Sequence, residues 1–297
     1  MLIDDVGFGD MGDPVLNHVR GYTTPNINAF ARQSLTFSRM YSEPTCSPTR
    51  TALVTGRLPV RSHMLEPNIV PPEGTGLQAD EVTLAELLKM TGYNTAHIVK
   101  WHQCDIKQAL PHNQGFDTAS FPLHNQATFN FMTIESEEDR LADNVAERET
   151  TPYYRMDKNF RPKGWVLGVD AVAGEDAREW GAEPGKPLDY AYYDALNERY
   201  KVQVIAKLNE LSAKDEPFFL NYWPQIPVNF TRRKRTFRTA NGGTWVESMK
   251  DLDDHLGDLF ATLEKSGAKD NTIVVVMSDN GPMFQAMPDT GYSQLVF

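Results

Sequence analysis

The chain has 297 residues, 40% hydrophobic and 23% charged, with 29 Lys and Arg against 40 Asp and Glu and a formal net charge of -11. This length can bury a substantial core, and we expect one domain over residues 1–297. A surface of that sign repels polyanions, so neither nucleic acid nor an anionic membrane is an expected partner, and no apolar run is long enough to span a bilayer.

Leu2-Ile3 reads as the end of a buried strand that closes on Asp4-Asp5 and then Gly7. A strand usually runs about five or six residues, so the start is expected to be clipped, with any secretory leader lost alongside it. Thr24-Pro25 opens a helix carrying Ile27, Phe30, Ala31 and Leu35 at helical spacing. Residues 47–56 read as a short helix with Ser47 as cap, Pro48 in the first turn and Gly56 as stop. Cys46 would then face a helix N-terminus, where unpaired N–H groups favour negative charge, with Arg50 on the same face. Thr83 to Glu86 forms a capping box before Leu87-Leu88. Residues 94–99 read as a strand, whose period of two puts Lys100 and His102 on one face. That pair can hold an anion and move a proton, with Trp101 between them as packing.

Between about residues 121 and 187 the periodicity fades, and we expect a loop-rich excursion of the kind that rims an active site. Helical patterns then recur at Val202, Ile205, Leu208 and Leu211, and at Val246, Met249, Leu252, Leu256, Leu259, Phe260 and Leu263. They precede strands at 218–222 and 273–277. Helix and strand in alternation imply an α/β fold with a mostly parallel central sheet and helices on both faces.

The last strand ends in Asp279-Asn280-Gly281, in the manner of Asp4-Asp5. In open α/β sheets ligands collect at the carboxyl ends of strands, so these pairs can bring four hard oxygen donors together, suited to Ca²⁺ or Mg²⁺. Each pair alone reads more readily as an ordinary turn opener. The two cysteines give no disulfide framework, and Cys104 is expected to be a buried thiol. The basic run 231–238 either steers an anionic substrate or is a solvated loop facing Asp251, Asp253 and Asp254.

Five motifs in order resemble the sulfatase family, which shares the alkaline-phosphatase-like fold: residues 4–10 (DDVGFGD), 46–50 (CSPTR), 55–59 (TGRLP), 100–102 (KWH) and 278–281 (SDNG). The resemblance implies hydrolysis of sulfate esters in the manner of arylsulfatases. It implies oxidation of Cys46 to formylglycine, whose hydrate is the nucleophile; a second hydroxyl on the same carbon lets sulfate be expelled, where a plain Ser would stay esterified. It also implies metal ligation, usually of Ca²⁺ with Mg²⁺ as the second choice, by Asp4, Asp5, Cys46, Asp279 and Asn280. Arg50 would hold the hydrate, Lys100 would bind sulfate, and His102 would assist elimination. The implied partners are a small-molecule or glycan sulfate ester and a formylglycine-generating enzyme. The implied location is periplasmic or secreted.

The chain also departs from the family. Val228 stands where the segment from Pro217 resembles one ending in a His that contacts the leaving group. No Lys follows Gly281 in a Gly-rich stretch, and the small C-terminal domain is expected to be absent, so the fold is expected to be truncated at both ends. Val99, Gln103 and Cys104 replace the small and apolar residues more usual beside Lys100 and His102. Two other readings stand beside the first: a phosphonate monoester hydrolase or phosphodiesterase of the same superfamily, and an incomplete, inactive sulfatase-like fragment.

Overall fold

The structure, a computed structural model, describes residues 1–11, 22–65, 76–103, 107–122, 166–181, 190–226 and 244–281. Cys104, Val228, the basic run 231–238 and most of 121–187 lie outside the described residues. In chain order the elements are β1 (Leu2–Ile3), α1 (Pro25–Arg32), α2 (Cys46–Thr55), α3 (Pro59–Ser62), α4 (Leu84–Met90), β2 (Asn94–Val99), β3 (Thr118–Phe121), β4 (Val166–Val172), β5 (Arg178–Gly181), α5 (Tyr190–Ser212), β6 (Phe218–Trp223), α6 (Thr244–Lys265) and β7 (Met277–Ser278).

The sheet order is β5-β4-β3-β2-β6, with β1 and β7 paired separately and β1 packed beside β6. Among the described residues the pairs β1–β7, β2–β3 and β2–β6 are parallel, while β3–β4 and β4–β5 are antiparallel. The mostly parallel α/β architecture is therefore present, with an antiparallel edge. That edge corrects the loop-rich reading for residues 166–181 alone, which form a hairpin that extends the sheet; 123–165 and 182–187 lie outside the described residues.

Two apolar clusters cover the two faces. One gathers Ile3, Ile98 and Tyr222 from the strands with Val204 and Leu208 of α5 and Met249, Leu252 and Leu256 of α6. The other gathers Leu2, Ala119, Phe121 and Trp223 with Val54 of α2 and Ala85 of α4. Neighbours Leu2 and Ile3, or Tyr222 and Trp223, thus point to opposite sides, as strand alternation requires. Each fully buried Leu, Ile or Met stabilises by about 1.5–3 kcal/mol relative to exposure.

Local signals hold in part. The capping box at Thr83 and Glu86 forms in both directions (3.2 and 2.7 Å), and Gly56 ends α2 at φ +66°. In α1 the Thr24 side chain does not cap; the Asp253 carboxylate of α6 accepts from the Asn26 and Ile27 amides (3.0 and 2.8 Å). Leu35 lies past the end of α1 and is exposed, so it is not part of that helix's buried face. The expected strand at 273–277 is a regular strand only at Met277–Ser278, with Met1 bonding the Val275 carbonyl and the Met277 amide beside it. Ile273 is left 94% exposed.

Candidate active site and metal centre

Strand ends build the site. Asp4-Asp5 follows β1, Asp279-Asn280 follows β7, and Lys100 follows β2. The β1–β7 ladder puts the two acidic pairs in register: the Asp279 amide donates to Ile3 O (3.0 Å) and the Asp5 amide to Asp279 Oδ1 (3.0 Å). Ser278 Oγ accepts from the Val6 amide (3.1 Å) and ties the two turns. Asp5 then turns sharply at φ +55°, a left-handed conformation that Asp tolerates better than most residues.

Helix α2 supplies the fourth side. It starts at Cys46 itself, with Thr45 as an extended N-cap that makes no side-chain bond. This corrects the expectation of Ser47 as cap and of Cys46 just outside the helix. Cys46 Sγ lies 3.8 Å from Asp5 Oδ1. One ligand atom from each of Asp4, Asp5, Cys46 and Asp279 falls within 4.8 Å of the others, all buried. Asn280 joins through Nδ2, 2.5 Å from Asp5 Oδ1.

Two buried cations face these acids. Arg50 Nε and Nη2 donate to Asp279 Oδ2 (3.1 and 2.7 Å), Nη2 also to Asp4 Oδ1 (3.0 Å), and Nη1 to the Lys100 carbonyl (3.1 Å). The guanidinium lies 5.1 Å from the Trp223 ring centroid, a favourable cation–aromatic arrangement. Lys100 Nζ donates to Asp4 Oδ1 at 2.6 Å. Trp223 is a support to which the sequence reading gave no role, since an aromatic at a strand end carries no signal of its own; Ser278 entered that reading only as part of the 278–281 motif.

The turn after β2 is not a strand continuation. β2 ends at Val99, which sits at φ +81°, and His102 sits at φ +57°. Strand alternation therefore does not place Lys100 and His102; a turn with left-handed residues does. Lys100 enters the acidic cluster, and His102 is buried beside it on the shared turn.

Burial pushes the Asp4 carboxyl up to about 8 against the pull of Lys100. Asp5 is raised by burial and then by Asp279, and the Cys46 thiol is pushed well up, by burial first. Asp279 stays below the usual carboxylate range because Arg50 and Lys100 outweigh its burial. Three carboxylates thus share two cations in a space closed to water. Full ionisation of the three is costly there unless a further cation balances the charge. Asn280 Oδ1 is also buried with no hydrogen-bond partner among the described residues. Hard oxygens, more acids than cations and an unpartnered amide oxygen fit a divalent cation of the Ca²⁺ or Mg²⁺ type.

The sulfatase family profile matches residues 1–294, and the chain belongs to that family. It is 29% identical over 306 residues to N-acetylgalactosamine-6-sulfatase of Mus musculus (99% of this chain, 52% of that protein). It is 29% identical over 307 residues to arylsulfatase A of Homo sapiens (100% of this chain, 54% of that protein). The crystal structure of the PsFucS1 sulfatase from Pseudoalteromonas sp. superposes with a TM-score of 0.74 at 27% identity, covering 94% of this chain and 54% of that one. The chain therefore spans about half the length of the relatives it matches.

Proposed function

We propose that this protein hydrolyses sulfate esters at the cluster around Cys46. The observation that carries the reading is the convergence of Asp4, Asp5, Cys46 and Asp279 within 4.8 Å, on family membership over residues 1–294. When present, a divalent cation would polarise the sulfate and a formylglycine at position 46 would supply the hydrated nucleophile.

Asp4, Asp5, Asp279 and Asn280 hold the cation in this reading, Ca²⁺ first and Mg²⁺ second. Arg50, fixed by both acidic pairs, orients residue 46 from four positions along α2. The Lys100 ammonium, held by Asp4, faces the sulfate oxygens, and His102 handles a proton at the same turn. The relatives' names, N-acetylgalactosamine-6-sulfatase and arylsulfatase A, favour a sulfated sugar or an aryl sulfate as substrate. A formylglycine-generating enzyme is the partner needed for maturation.

The test joins mass spectrometry of the Cys46 peptide, after co-expression with a maturation enzyme, to turnover of p-nitrophenyl sulfate and of an aryl phosphodiester in parallel. Conversion of Cys46 with sulfate hydrolysis that Cys46→Ala abolishes is the expected result. An unmodified thiol, or a preference for the phosphodiester, overturns it.

A further inference from the structure

Gln103 follows His102 and is fully buried, yet nothing in its chemistry suits it to hydrolysis. Its side chain reaches from the β2 turn to the first turns of α2. Nε2 donates to the Ser47 carbonyl at 3.4 Å, and Oε1 accepts from the Thr51 hydroxyl. Its own carbonyl accepts from the Leu77 amide at 3.1 Å, which anchors the residue from behind. Ser47 and Thr51 are both buried, so an apolar side chain at 103 would strand the Thr51 hydroxyl.

The residues joined are neighbours of the reactive ones. Ser47 adjoins Cys46, and Gln103 adjoins His102 on the turn that carries Lys100. A parallel tie runs through Arg50 Nη1 to the Lys100 carbonyl, but Arg50 is committed to Asp4 and Asp279 as well. Gln103 touches neither acid. It fixes the nucleophile's helix against the turn, independently of the charges.

We propose that Gln103 is a positioning residue that sets the separation of residue 46 from Lys100 and His102, an inference that rests on the hydrolytic reading above. Small displacements of reacting groups carry large rate costs. The test uses the whole protein matured at Cys46, with p-nitrophenyl sulfate as probe. Gln103→Leu is expected to lower kcat by about tenfold to a hundredfold with KM within about twofold, in a folded protein. Gln103→Glu loses the donor to Ser47 when ionised and regains it when protonated, so its kcat relative to native rises as pH falls. An unchanged kcat in Gln103→Leu, or a flat Gln103→Glu ratio across pH, overturns the proposal. If the native protein hydrolyses no sulfate ester, the functional reading fails by itself. The clasp is then read from amide hydrogen exchange over residues 46–51, which Gln103→Leu accelerates if it holds and leaves unchanged if it does not.

Discussion

Arg50 and Asp279 lie 229 positions apart and meet in a buried ion pair, with Nε and Nη2 both on Oδ2 at 3.1 and 2.7 Å. The other oxygen, Oδ1, is left to accept the Asp5 amide. One carboxylate thereby holds α2, which carries Cys46, and both acidic turns.

Removing the guanidinium leaves that carboxylate and Asp4 short of a counter-charge in a closed site. Arg50→Met is expected to destabilise by about 3–5 kcal/mol, the usual cost of breaking a buried pair from one side. Arg50→Lys keeps the charge but cannot span Asp4, Asp279 and the Lys100 carbonyl together, so its loss is intermediate. Chemical denaturation midpoints decide this; an Arg50→Met midpoint equal to native would contradict it.

Val99 is a β-branched residue at φ +81°, where such side chains are strained. Ile98 beside it is an ordinary strand residue, also buried. Val99→Gly relieves strain while losing packing, whereas Ile98→Gly only loses. We expect Ile98→Gly to cost at least about 2 kcal/mol more than Val99→Gly, measured by urea denaturation of both variants.

The metal reading predicts calcium-dependent stability. Ligand at about a hundredfold above Kd adds about 2.7 kcal/mol, so the native melting temperature should rise with Ca²⁺ and fall again with a chelator. Asp5→Asn and Asn280→Ala should lose most of that response in a thermal shift assay. A native protein indifferent to both Ca²⁺ and Mg²⁺ would rule the site out as a metal centre.

Acid sensitivity should come from buried histidines. Burial, then Arg50, pulls His97 down from 6.5 to about 3. Burial, then Lys201, pulls His255 down to about 4. Both stay neutral in the folded state while the unfolded chain takes up protons below 6.5, so the stability they confer is complete above that pH. It is lost as pH falls, towards about 4 for His255 and about 3 for His97, each with a slope of up to about 1.4 kcal/mol per pH unit. His255→Gln should flatten the decline between pH 6 and 5 in denaturation experiments.

Asp253 caps α1 from another helix. Asp253→Ala should cost about 1 kcal/mol, and thermal melts check it.

The sequence determined several features that depend on neighbours within a few residues. The Thr83–Glu86 box, the Gly56 stop, the 94–99 strand and the two long amphipathic helices were legible because capping, φ > 0 and periodicity are local properties. So were the residue types of the buried cluster, since Cys46 and Arg50 sit in one helix and the acidic pairs each end a strand.

Tertiary structure decided the rest. Whether the pairs at 4–5 and 279–280 meet is set by β1–β7 pairing across the whole chain, and no local pattern encodes a partner so distant. The same holds for the Asp253 cap on α1, the hairpin at 166–181 and the left-handed turn that presents Lys100. Each depends on which surfaces must be buried together, and that choice is made only when the entire core closes.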